Sequence, residues 1–290
     1  MPVMLAPIGL MQHFHADGAS PSGQAAAEFG TIQAVSTNTQ PSLEKVAAAS
    51  DGPKIFQLNV RGDRAWTREI IERAREARYI AVAVTASMAL TRRRERTMSV
   101  EWAPRSRTTG ADDPPNYMAM LSWETLDEIK EMCGPEMPLM LKGVQTAEDA
   151  MLAVQHGVDT VWISNHGGRQ LDHGRGTLDE LPEVIEAVAG KADVMVDGGI
   201  QRGTDVLKAL ALGAKAVAVG KLQCWGLAAG GKDGVRRMLE ILEEEIVTGM
   251  GLLGVTSIDQ LNASYVRRAE AVTLPHEMSS WVNLPGGRVL

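Results

Sequence analysis

The chain has 290 residues, a hydrophobic fraction of 44% and a formal charge of −7. That composition is globular rather than disordered, and the length allows one large domain or two small ones. The acidic balance argues against nucleic acid as a partner, and Cys133 and Cys224 show neither metal-ligand spacing nor a disulfide framework, which fits a reducing cytoplasm.

The opening stretch MPVMLAPIGLMQHFHADG has no basic leader and is apolar for only about ten residues, too little for a signal peptide. It reads as a buried strand and loop. No apolar run reaches the ~18 residues of a membrane span. In chain order, strand-like runs occupy 3–8, 31–36, 54–60, 79–85, 138–144, 160–164, 193–199 and 216–220. Helix-like stretches lie between them, at 64–77, 123–132, 146–156, 178–189 and 203–212. Near-continuous apolar runs separated by helices indicate parallel strands buried on both faces. Eight such units predict an α/β chain folded as a single (β/α)8 TIM barrel over 1–290. An open doubly wound sheet is the alternative, but no GxGxxG follows the first strand.

Thr146, with Glu148 and Asp149 behind it, predicts a helix N-cap, and Gly157 a helix end. Thr177 is expected to cap the next helix, ahead of Asp179 and Glu180. The longest irregular segment, 86–122, is rich in arginine and reads as an active-site loop. The amphipathic stretch GVRRMLEILEEEIVTGMGLLG closes the barrel or packs on a neighbour.

Barrel enzymes gather their chemistry on the loops after the strand ends. Read strand by strand, those ends carry Ser36, Gln57 with Asn59, Thr85, Lys142, then His166 with Arg169, then Asp197 with Gly198 and Gly199, and finally Gly220 with Lys221. One imidazole, one carboxylate, several cations and a set of hydroxyl and amide groups thus meet at one rim. The paired glycines after strand seven and the glycine after strand eight suit the close approach of a phosphate.

LKGVQTAEDA, ISNHGGRQLD and DGGIQRGTDVLKALALGAKAVAVGK closely resemble the FMN-dependent α-hydroxy-acid oxidase and dehydrogenase family. APIGLMQHFHADGA, GTIQAVSTNTQPSLEKVA and IFQLNVRGDR extend the resemblance, which runs from Met1 to about residue 265. It implies oxidation of a small (S)-2-hydroxy acid, with His166 taking a proton as a hydride equivalent passes to FMN. Asp197 would orient His166 and steady its imidazolium. Arg169 and Arg94 would hold the substrate carboxylate, with Asn59 beside them where the family has a tyrosine. Lys142 would stabilise negative charge on the reduced flavin. Ala6, Pro7, Ile8, Ser36, Gln57, Thr85 and Ser164 match contacts to the ring and ribityl chain. Asp197, Gly198, Gly199, Gly220 and Lys221 complete the cofactor set, the last three at the phosphate end.

The resemblance further implies oxygen or a quinone as electron acceptor, no membrane association and a homotetramer. Departures are specific. The family's N-terminal helical segment, with its substrate tyrosine, has no counterpart ahead of the first strand. Ser87 stands where an aspartate is usual, Lys221 replaces an arginine, and Gln201 replaces an arginine that binds phosphate. Losing one such charge weakens FMN binding about ten- to a hundredfold unless Arg202 compensates. A different flavin-barrel reaction and a non-catalytic shortened paralogue are the alternatives.

Overall fold

The computed structural model describes residues 1–90, 116–171 and 173–269. Eight parallel strands close on themselves in sequence order, with β1 paired to both β2 and β8. They are β1 (Val3–Leu5), β2 (Gln33–Ser36), β3 (Lys54–Leu58), β4 (Ala81–Thr85), β5 (Leu139–Val144), β6 (Thr160–Ile163), β7 (Asp193–Asp197) and β8 (Ala216–Val219). The helices among the described residues are α1 (Ser20–Phe29), α2 (Leu43–Ala48), α3 (Arg64–Glu76), α4 (Trp123–Cys133), α5 (Ala147–Gln155), α6 (Thr177–Val188), α7 (Gly203–Ala211) and α8 (Lys221–Leu253). The expected (β/α)8 barrel is therefore the fold, and the open sheet is excluded by the β1–β8 pairing. No helix among the described residues is long and apolar enough to cross a membrane.

Local chemistry accounts for the boundaries. Asp63, Ser122 and Thr146 accept backbone N–H bonds from Trp66, Thr125 and Asp149 at the starts of α3, α4 and α5. Thr177 departs from its expected role as a cap. Gly176 is the N-cap, while Thr177 is the first residue of α6 and donates its hydroxyl to the carbonyl of Gly198 at 3.0 Å. The hydroxyl ties α6 to the turn after β7 instead of closing its own helix. The amphipathic C-terminal stretch belongs to α8, which is kinked at Gly230 and Gly231 and packs on α1 and α7.

Side chains alternate in and out along each strand, and this separates two apolar layers. Leu5, Phe56, Leu58, Val82, Val84, Leu139, Leu141, Val161, Ile163, Val194, Val196, Val217 and Val219 face the helices. Met4, Ala34, Ile55, Ala81, Ala83, Met140, Trp162, Met195 and Ala218 fill the barrel interior. Trp162 is fully buried there, in a cluster whose five alanines, Ala6, Ala34, Ala81, Ala83 and Ala218, leave room for its bulk. Truncating such a side chain typically costs about 3–5 kcal/mol.

Candidate active site

Two residues beyond this interior layer, on strand after strand, the chain changes from apolar to polar. Ala34 is followed by Ser36, Ile55 by Gln57, Ala83 by Thr85, Met140 by Lys142, Trp162 by Ser164 and Met195 by Asp197. Because the side-chain period of a strand is two, these groups point into the barrel mouth, directly above the apolar floor. All six are at least 94% buried. Burial of this many polar groups is sustained by bonds among them. Gln57 donates to Thr85 Oγ1 at 2.7 Å.

The tightest cluster joins three strands. Lys142 Nζ donates to Ser164 Oγ at 2.7 Å and lies 3.0 Å from Asp197 Oδ2. Ser164 in turn donates to Asp197 Oδ1 at 2.6 Å, and Lys142 sits 5.3 Å above the Trp162 ring. Two of the three ammonium donors are thus engaged, which fixes the direction of the third.

Asp197 is engaged within the buried cluster. Its two oxygens serve Ser164 and Lys142, and the contact observed at His166 Nδ1 is Ser87 Oγ, at 3.3 Å. Asp197 points into the buried layer, whereas His166 stands outside it, half-buried in the 3-10 turn His166–Gly168. The His166 backbone has φ 55°, and its N–H donates to Ser164 Oγ at 3.2 Å, anchoring the turn to the cluster below. Asn165 closes the turn by accepting from Gly168 N at 3.2 Å. A Cβ on Gly198 would lie 2.5 Å from that amide oxygen, so a glycine must follow β7 for the two loops to approach.

Ser87 reaches His166 because β5 gives way. Gly143 has φ 110°, at a shift in the β5–β6 register, and a Cβ there would fall 2.7 Å from Ser87 Cβ. Neither Ser87 nor Gly143 was singled out as a functional residue by sequence. The signal was present for Ser87, two residues beyond Thr85 and therefore on the same inward face.

The remaining expected residues lie around this cluster. Gly220 brings the ends of β1 and β8 together, since a Cβ on it would stand 3.4 Å from Ile8 Cδ1 and 3.9 Å from Ala6 Cβ. Pro7 lies between them, half-buried. Asn59 is 2% exposed, and its Oδ1 has no hydrogen-bond partner among the described residues. Arg169 and Gly199 are exposed at the rim, and Lys221 donates to the Gly167 carbonyl at 3.0 Å. Arg202, the neighbouring cation, has its guanidinium paired with Glu245 at 2.5 Å. Arg94 and most of the 86–122 loop lie outside the described residues.

Residues 1–268 match the model of the FMN-dependent dehydrogenase family. The chain belongs to that family. Among its relatives, an L-lactate oxidase of Nostoc sp. is 36% identical over 92% of this chain and 79% of its own. Glycolate oxidase of Spinacia oleracea is 35% identical over 92% of this chain and 77% of its own. A mandelate oxidase variant solved with an FMN adduct superposes with a TM-score of 0.81 at 38% identity, covering 89% of this chain and 77% of its own. As a member of the family, the protein is an FMN-dependent oxidoreductase on a TIM barrel.

The mouth suits FMN at its ring end. A flat ring edge that alternates donors and acceptors needs a dry, partner-rich collar, and Ser36, Gln57, Thr85 and Lys142 provide one. Ala6 and Ile8, beside Gly220, offer apolar contact at the end of β1.

Proposed function

We propose that the protein oxidises a small (S)-2-hydroxy acid to the 2-oxo acid, with His166 as general base. The observation that carries the reading is the buried Lys142–Ser164–Asp197 cluster with His166 anchored directly on it, in a chain of this family. Bound FMN supplies two-electron redox chemistry. The protein's own contribution is positioning and charge. His166 takes the substrate proton, Arg169 fixes the carboxylate in a two-pronged contact that lysine cannot reproduce, and Arg94 is the second arginine of that clamp. Asn59 stands where it meets the remainder of the substrate. Lys142, held from two sides, offers its third N–H to the flavin. Ala6, Pro7, Ile8, Ser36, Gln57, Thr85 and Ser164 hold the ring and ribityl chain, Asp197 and Gly198 complete the cofactor set, and Gly199, Gly220 and Lys221 serve the phosphate end.

The three relatives named as oxidases support oxygen as the electron acceptor, with a quinone as the other candidate. We also propose one functional domain, a homotetramer on the strength of the family resemblance, and a reducing compartment such as the cytoplasm. Cys133 and Cys224 support the last, being free and buried, with burial pushing both thiols up to about 11. The decisive variant is His166→Ala. Anaerobic bleaching of the flavin by substrate should slow at least a hundredfold, the lower end of what a positioned base contributes (~10²–10⁴). An undiminished rate would remove His166 as the base.

A further inference from the structure

The phosphate end of the mouth is poorer in positive charge than the ring end is in hydrogen bonds. Barrels hold phosphate after strands seven and eight through glycine N–H groups, helix N-termini and cations. In this chain the start of α7 already carries two carboxylates of its own. Glu245 Oε2 accepts from Gly203 N at 2.7 Å, and Asp205 Oδ2 accepts from the backbone N–H groups of Gln201 and Arg202, both at 3.1 Å. Arg202 is engaged by the same group, with Nε 2.7 Å and Nη2 2.5 Å from Glu245 Oε1. That pairing, with the Gly203 N–H, holds the Glu245 carboxyl below the usual carboxylate range. The field of the helix start and the nearest guanidinium are therefore answered internally. Position 201 is a neutral amide, which among the described residues leaves Lys221 as the cation next to Gly220, and its ammonium is drawn to the Gly167 carbonyl.

Granted the proposed FMN site, on which the inference rests, we propose that the mouth holds flavin chiefly by its ring and ribityl chain, so that riboflavin, which lacks the phosphate, binds within about thirtyfold of FMN. A single lysine contact of this kind contributes about ten- to a hundredfold, and here it is shared with a carbonyl.

The test is a pair of fluorescence titrations of the flavin-free full chain, with FMN and with riboflavin, at physiological salt. The expected ratio of dissociation constants is below about thirtyfold, and a larger preference for FMN overturns the proposal. Gln201→Arg should tighten FMN at least tenfold and leave riboflavin unchanged, riboflavin binding serving as the check that the variant is folded. Glu245→Gln, which releases Arg202, should move FMN in the same direction. Variants that leave FMN affinity where it was, or tighten both flavins alike, overturn the proposal. Wild-type protein that binds neither flavin overturns the FMN reading itself, a result distinct from strong preference for FMN.

Discussion

Replacing Asp197 by Asn keeps the shape of the buried cluster and removes its one negative charge. Oδ1 can still accept from Ser164, but Lys142 loses its counter-charge at 3.0 Å in a layer where both side chains are at least 92% buried. Leaving one member of such a pair buried and uncompensated typically costs about 3–5 kcal/mol. For a chain of this length each kcal/mol lowers the melting temperature by about 1.5–2 °C, so Asp197→Asn should melt about 5–10 °C below wild type. Scanning calorimetry on flavin-free protein measures this without the added stability that bound ligand confers. Combining Asp197→Asn with Lys142→Met removes both charges and should recover most of the loss, because the penalty belongs to the orphaned ion. A single variant within about 2 °C of wild type, or a double variant as unstable as the single, would refute the idea that a mutually dependent ion pair holds the cluster.

Three other contacts lead to outcomes of their own. Ser87→Asp places a carboxylate at the position now 3.3 Å from His166 Nδ1; because the base must be neutral to act, the acid limb of the kcat/KM profile should move to higher pH by about one to two units. Gly143→Ala forces a Cβ against Ser87 at a φ of 110°, so it should lower stability by about 1–3 kcal/mol in denaturant melts and reduce kcat by displacing Ser87. Glu180 is 1% exposed, its Oε2 is without a hydrogen bond among the described residues, and burial pushes its carboxyl from 4.5 up to about 7. A carboxyl raised in the folded state binds protons that the unfolded chain releases, so its contribution to stability falls between pH 4.5 and 7 and levels off above. Glu180→Gln should flatten that slope and raise stability near pH ~8 by up to about 3 kcal/mol, read from urea melts across pH.

Much of this architecture was legible in the sequence because strand burial leaves a plain signature. All eight apolar runs became strands, five of them ending one to three residues before their run did, as at Leu5 against Ile8 and Leu58 against Val60. Most of the surplus residues are site residues, Ala6 to Ile8 and Asn59 among them, and lie where the chain turns into the mouth. What the sequence did not settle was pairing. Asp197 has the right chemistry to orient an imidazole, but which of Lys142, Ser164 and His166 it meets depends on how far each strand projects into the mouth. Arg202 looked like a replacement cation because its partner, Glu245, is 43 residues away in sequence. Thr177 had the composition of a cap, and the capping position fell one residue earlier. Ser87 was conspicuous only as a departure from a family pattern until its neighbour Gly143 let it approach the histidine.

The visible absorption spectrum of the purified protein, followed anaerobically through additions of lactate, glycolate and mandelate, tests the assignment of FMN-dependent 2-hydroxy-acid oxidation most directly. Flavin bands that bleach with at least one of these acids are the predicted result. Flavin bands that bleach with none, or a colourless protein that takes up no added FMN, would contradict it.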